Sequence, residues 1–149
     1  MNNAKKLNIG IIVAPYYQHI TNGLLNGAKN FFKNEMPYGY IFEQFDVTGA
    51  LEAPLAAQML AATEQYDVLV ALGAVIRGET AHFDHVCTQS AHGLMEVSLK
   101  YNIPIGNGIL TVENEDQAIA RSADSEKNKG REAAMAAISL QKLKFQLQE

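Results

Sequence analysis

Residues 67–86 read DVLVALGAVIRGETAHFDHV. The first six form a short, almost wholly apolar run, the pattern of a strand covered on both faces. Two glycines and several polar side chains follow. From Asp84 to about Tyr101 the apolar positions recur at helical spacing. A buried strand, a polar turn and a helix make the building unit of a parallel sheet, whose crossover connections are usually helices.

The same unit recurs on either side. Residues 7–14 (LNIGIIVA) predict a second buried strand, and residues 21–34 a helix with Leu24, Leu25, Ala28, Phe31 and Phe32 on one face. Residues 40–47 alternate in part and are rich in aromatics, which predicts a strand with one wetter side. Pro54 suits the first turn of a helix reaching about Gln65. Downstream, residues 103–110 predict a fourth strand. Glu113, Glu115 and Asp116 load the next helix start with acid, as the macrodipole prefers. The last helix spans residues 129–147, with Ala133, Ala134, Ala137 and Ile138 facing inward. Strands alternating with helices imply an α/β fold in which a parallel sheet carries helices on both faces. No Pro/Gly/Ser-rich linker and no repeat divides the chain, so residues 1–149 are expected to form one domain.

Composition narrows the function. Of 149 residues, 48% are hydrophobic and 19% charged, which is globular rather than disordered. The net charge of −4 gives no basic surface for nucleic acid, so an anionic ligand would need local cations or backbone N–H groups. Cys87 is the sole cysteine, so no intrachain disulfide can form, in keeping with a reducing compartment. The polar start carries Lys5 and Lys6, and the apolar run 9–14 is too short for a signal segment with a cleavage site. No stretch approaches the roughly 20 apolar residues of a membrane span. The protein is expected to be soluble and cytoplasmic.

In such sheets ligands bind outside the carboxyl ends of the strands. The loops to inspect are therefore 15–20, 48–54, 73–84 and 111–114. In the third, Gly78 lets the backbone turn tightly, so that successive N–H groups and the positive end of the next helix face an anion, with the Thr80 hydroxyl beside them. A purely structural strand-to-helix turn fits the same residues. His82 lies beside this cradle and suits proton transfer near neutral pH, although a surface or capping histidine reads identically. Grouping His82 and His85 with Cys87 matches no common zinc spacing. Glu52, in TGALEAP (48–54), can accept hydrogen bonds from sugar-like hydroxyls or simply favour a helix start. Tyr16 and Tyr17 follow the first strand and can stack on a planar ring or pack at the sheet edge. Arg121 and Lys129 are candidate phosphate ligands or solvated charges.

Taken together, the blocks GAVIRGETAHFDHV, TGALEAP, NGILTVENEDQA and KNKGREAAMAA resemble the 6,7-dimethyl-8-ribityllumazine synthase family, in order and spacing, from Ile9 to about Leu140. The resemblance implies a flavodoxin-like, three-layer α/β/α sandwich around a four-stranded parallel sheet. It implies an enzyme that joins 5-amino-6-(D-ribitylamino)uracil to 3,4-dihydroxy-2-butanone 4-phosphate, releasing phosphate and water, the penultimate step of riboflavin biosynthesis. No metal or organic cofactor is implied. Carried over residue by residue, Tyr16 would stack on the pyrimidine, and Ala50, Leu51 and Glu52 would hold the ribityl chain. Ala74, Val75 and Ile76 would give backbone contacts to the uracil. Glu79 and Thr80 would line the phosphate pocket, Arg121 would clamp the phosphate with Lys129 near it, and His82 would be the general acid/base.

Three positions depart from the family pattern. Asn107 stands where many members bring an aromatic across a subunit interface, Leu51 where a larger aromatic is frequent, and Pro15 where a basic residue is common. Members are pentamers, some assembling into a sixty-subunit shell. The short arm before Ile9 favours a free pentamer, with active sites between neighbours and with Glu52, His82 and Asn107 on one rim of the sheet. Riboflavin synthase would be a further partner. Two alternatives stand beside this reading: a flavodoxin-like module that binds flavin or nucleotide without catalysis, and a catalytically weak paralogue that binds lumazine or flavin.

Overall fold

The computed structural model describes residues 6–36 and 39–149; residues 1–5, with Lys5 and most of the N-terminal arm, lie outside them. Strands β1 (Leu7–Val13), β2 (Tyr40–Asp46), β3 (Val68–Ile76) and β4 (Ile105–Val112) alternate with helices α1 (Gln18–Glu35), α2 (Ala53–Ala62), α3 (His82–Tyr101), α4 (Glu115–Ser122) and α5 (Lys129–Gln148). A 3₁₀ turn, Ala50–Glu52, leads into α2. The strands form one parallel sheet in the order β2-β1-β3-β4. This is the flavodoxin-like, three-layer α/β/α sandwich expected from the sequence. Among the described residues no helix is long and apolar enough to cross a membrane.

Period-two alternation explains the layers. Ile9, Ile11 and Val13 of β1 and Val68, Val70 and Leu72 of β3 point to one face, where they meet Leu24, Ala28 and Phe32 of α1, Ala118 of α4, and Ala133, Ala134 and Ala137 of α5. Ile12, Leu69, Ala71 and Ile109 point to the other, against Ala53, Ala57 and Ala61 of α2 and Val86, Leu94 and Val97 of α3. β2, at the sheet edge, buries Phe42 only in part and leaves Ile41, Glu43 and Gln44 exposed, as its mixed pattern predicted. Helix α5 approaches both the sheet and α1 closely because glycines clear its path. A Cβ at Gly106 would collide with the Ala133 carbonyl, and one at Gly130 with that of Leu24.

Element ends depart from expectation for identifiable reasons. α1 starts three residues before Thr21. Thr21 is buried in the second turn, with its hydroxyl donating back to the carbonyls of Tyr17 and Gln18 rather than capping the helix. α2 stops at Ala62, and Glu64 just beyond adopts a left-handed φ of 60°. β4 begins at Ile105, after Pro104. β3 runs past Gly73 to Ile76, because β4 stays paired with it through Ile76↔Val112. Residues 73–76 are therefore strand, and α3 already begins at His82, so the expected loop 73–84 shrinks to residues 77–81.

Candidate active site

The carboxyl ends of β2, β1 and β3 stand side by side, and each delivers expected site residues. After β1, the Tyr16 ring forms a T-shaped pair with Tyr17, the centroids 4.9 Å apart, and at 78% exposure leaves most of its surface open to a stacking partner. After β2, the 3₁₀ turn buries Ala50 and leaves Leu51 and Glu52 exposed. Glu52 occupies the N-cap position of α2, yet its carboxylate makes no capping hydrogen bond.

β3 supplies a half-buried edge. β1 pairs with it only as far as Val13↔Leu72, whereas β4 follows it to Ile76. Ala74, Val75 and Ile76 thus have a strand along one side only. Their other side presents backbone donors and acceptors beyond the end of the ladder, as a planar heterocycle with amide-like edges requires.

The turn after β3 is open to solvent: Gly78, Glu79 and Thr80 are all exposed. Gly78 does not adopt a left-handed φ, and a Cβ there would meet nothing within 4 Å. The expectation that Gly78 lets the backbone turn tightly is therefore corrected: the turn does not draw on glycine's conformational freedom, and Gly78 leaves one side of it uncovered. The Thr80 hydroxyl accepts from the backbone N–H of His82 at 3.3 Å. His82 is the first residue of α3, and its exposed imidazole makes no hydrogen bond to the protein among the described residues.

A second group lies at the free edge of β4. Arg121, in the last turn of α4, donates from Nη1 to the Gln117 carbonyl at 3.1 Å. Lys129 opens α5 with its ammonium 3.9 Å from Glu132. With Lys127 they line a recess against residues 109–112, three cations beside the carboxylates of Glu126 and Glu132. None of Tyr16, Glu52, Thr80 and His82 lines that recess. Asn107 is not on the rim, contrary to expectation. It sits within β4 opposite Ala71, because β4 begins two residues later and runs two residues further than its apolar run suggested. Its exposed side chain accepts from the N–H of Ile109 at 3.0 Å.

Two side chains that organise the surroundings of these residues escaped the sequence. Arg77, directly after β3, donates from Nε to Glu113 at 2.6 Å and from both terminal nitrogens to Asp84 at 3.2 and 3.4 Å. Its guanidinium lies 4.3 Å from the centroid of the Phe83 ring. These bonds, that to Glu113 foremost, push the Arg77 pKa further up. Glu113, expected to serve a helix dipole, is engaged here instead. The available signal was a charge ending a nine-residue apolar strand, but its partner emerges only from the register that sets Ile76 against Val112. Asn128 is buried and donates to the carbonyls of Gly23, Ser122 and Ala123 while accepting from the N–H of Arg131. It thereby fixes the loop that presents Lys129.

Fold and residues define a class: a flavodoxin-like α/β protein of the enzyme type, with its candidate site residues at the carboxyl ends of the strands and a cationic recess at one edge. The model of the 6,7-dimethyl-8-ribityllumazine synthase family matches residues 6–144, and the chain belongs to that family. It is similar to the 6,7-dimethyl-8-ribityllumazine synthase of Zymomonas mobilis subsp. mobilis, 47% identical over 137 residues that make up 92% of this chain and 96% of the relative. The enzyme of the same name from Sphingopyxis alaskensis is 46% identical over 136 residues, 91% of this chain and 94% of that one.

Proposed function

We propose that this chain is a lumazine synthase that condenses 5-amino-6-(D-ribitylamino)uracil with 3,4-dihydroxy-2-butanone 4-phosphate to give 6,7-dimethyl-8-ribityllumazine. The amine attacks the ketone and water leaves as the imine forms. Phosphate is then eliminated, and ring closure releases water again. The observation that carries the reading is the gathering of an exposed ring, an uncommitted carboxylate, an open strand edge and a free imidazole at the ends of three adjacent strands, in a chain of this family.

Tyr16 stacks on the pyrimidine. The free edge of Ala74, Val75 and Ile76 reads its amide-like side. Ala50 and Leu51 bound the ribityl chain, and Glu52 accepts from its hydroxyls. Glu79 and Thr80 line the phosphate pocket, and His82 moves the protons of imine formation and elimination. Arg121 clamps the phosphate with Lys129 close by, and these two come from a neighbouring subunit, as does Asn107. The separation of the cationic recess from the His82 rim supports a shared site, since a second copy placing its β4 edge on that rim would complete it. A pentamer closed by one heterologous contact satisfies this for every site. The whole chain, residues 1–149, acts as one cytoplasmic domain, with riboflavin synthase as a further partner.

The test is direct. The purified protein is mixed with both substrates while lumazine absorbance and released phosphate are followed. Coincident rises well above the protein-free rate support the assignment. Traces that match the protein-free control overturn it.

A further inference from the structure

We propose that Arg77 is a positioning residue for this reaction: its guanidinium holds the first turn of α3, and with it His82, against the β4–α4 junction. The inference rests on the acid/base role proposed for His82.

The start of α3 is weakly secured by its own residues. Ala81 is the N-cap and supplies no side-chain acceptor, and the Thr80 hydroxyl reaches only the N–H of His82, at 3.3 Å. An uncapped first turn leaves N–H groups unpaired and frays. Arg77 supplies the restraint from outside. Its own N–H donates to the Val112 carbonyl at 2.9 Å, so its backbone is set by the sheet. From that fixed point the guanidinium takes both oxygens of Asp84, covers the face of Phe83 and reaches Glu113. Phe83 and Asp84 are the two residues that follow His82 in the same turn.

The far anchor is firm as well. The N–H of Glu113 donates to the Gln117 side chain at 2.8 Å, and Asn114 caps α4 by accepting from the Gln117 N–H. One side chain thus links the helix that carries His82 to the start of the helix that carries Arg121. Exposed ion pairs contribute little to stability. A planar fork engaging two carboxylates and a ring at once instead fixes direction, which a lysine at the same place cannot reproduce.

The experiment compares Arg77→Gln, Arg77→Lys, His82→Ala and the Arg77→Gln/His82→Ala double variant of the full chain, with thermal midpoint and assembly mass as controls. Arg77→Gln should lower kcat about tenfold while leaving both KM values within about twofold, because misplacing a proton-transfer group impairs the chemical step more than binding. Arg77→Lys should recover only part of the loss. In the His82→Ala background Arg77→Gln should add almost nothing, since a group that acts through another has no effect once that group is gone. An unchanged kcat in Arg77→Gln, or losses that multiply in the double variant, overturns the proposal while leaving the role of His82 standing. Unchanged turnover in His82→Ala instead sinks the acid/base reading, and the positioning role with it. If Arg77→Gln does not assemble, Asp84→Asn and Glu113→Gln decide the matter by the same comparison, each removing one arm of the fork.

Discussion

His82 and Arg121 illustrate what a residue's chemistry reveals before its surroundings are known. An imidazole after a Gly-rich turn and an arginine in an acidic chain are both conspicuous in sequence, and among the described residues the His82 ring has no hydrogen-bond partner. Removing that ring should slow lumazine formation about 10²-fold, the low end for positioned proton transfer, because proximity of the two substrates survives. Steady-state turnover of His82→Ala at saturating substrate checks this, and an unchanged value removes His82 from its role. Arg121→Ala should raise KM for the butanone phosphate far more than that for the pyrimidine, with inorganic phosphate competing less well. Equal rises for both substrates would point to a damaged fold. What residue-by-residue reading missed was Arg77, whose meaning depends on a carboxylate 36 positions away.

The existence and type of the elements were legible because hydrophobic periodicity reports burial directly. Their ends were not, because partners decide them. β3 outlasts its first glycine since β4 keeps bonding to it, and Thr21, expected to open α1, lies inside it with its hydroxyl turned back onto the helix. The N-terminus of α5 shows the same dependence. Asn128→Ala should destabilise the protein by about 2–4 kcal/mol, since it removes a helix cap and leaves buried carbonyls without a donor. Urea unfolding measures this, and a change below about 0.5 kcal/mol would show that water replaces the side chain without loss. Gly106→Val should fail more severely, because any Cβ there runs into the Ala133 backbone and α5 must lift off the sheet. A native thermal midpoint for that variant would mean that α5 packs differently.

At the scale of the molecule, the candidate residues divide between a rim and an edge. The order β2-β1-β3-β4 sets Tyr16, Glu52 and His82 at the ends of three neighbouring strands, and leaves Arg121 and Lys129 in a recess beside β4. Sequence could name both groups but not their separation, which follows from strand order and from how far β4 extends. The central claim is that copies of the chain join these halves. Light scattering should give a pentamer, and the decisive measurement mixes two defective proteins. His82→Ala and Arg121→Ala, co-assembled in equal amounts and assayed at low butanone phosphate, should regain activity in about a quarter of the sites, those where an intact His82 meets an intact Arg121 of a neighbour. Activity no greater than the average of the two variants would contradict a shared site and return the whole reaction to a single chain.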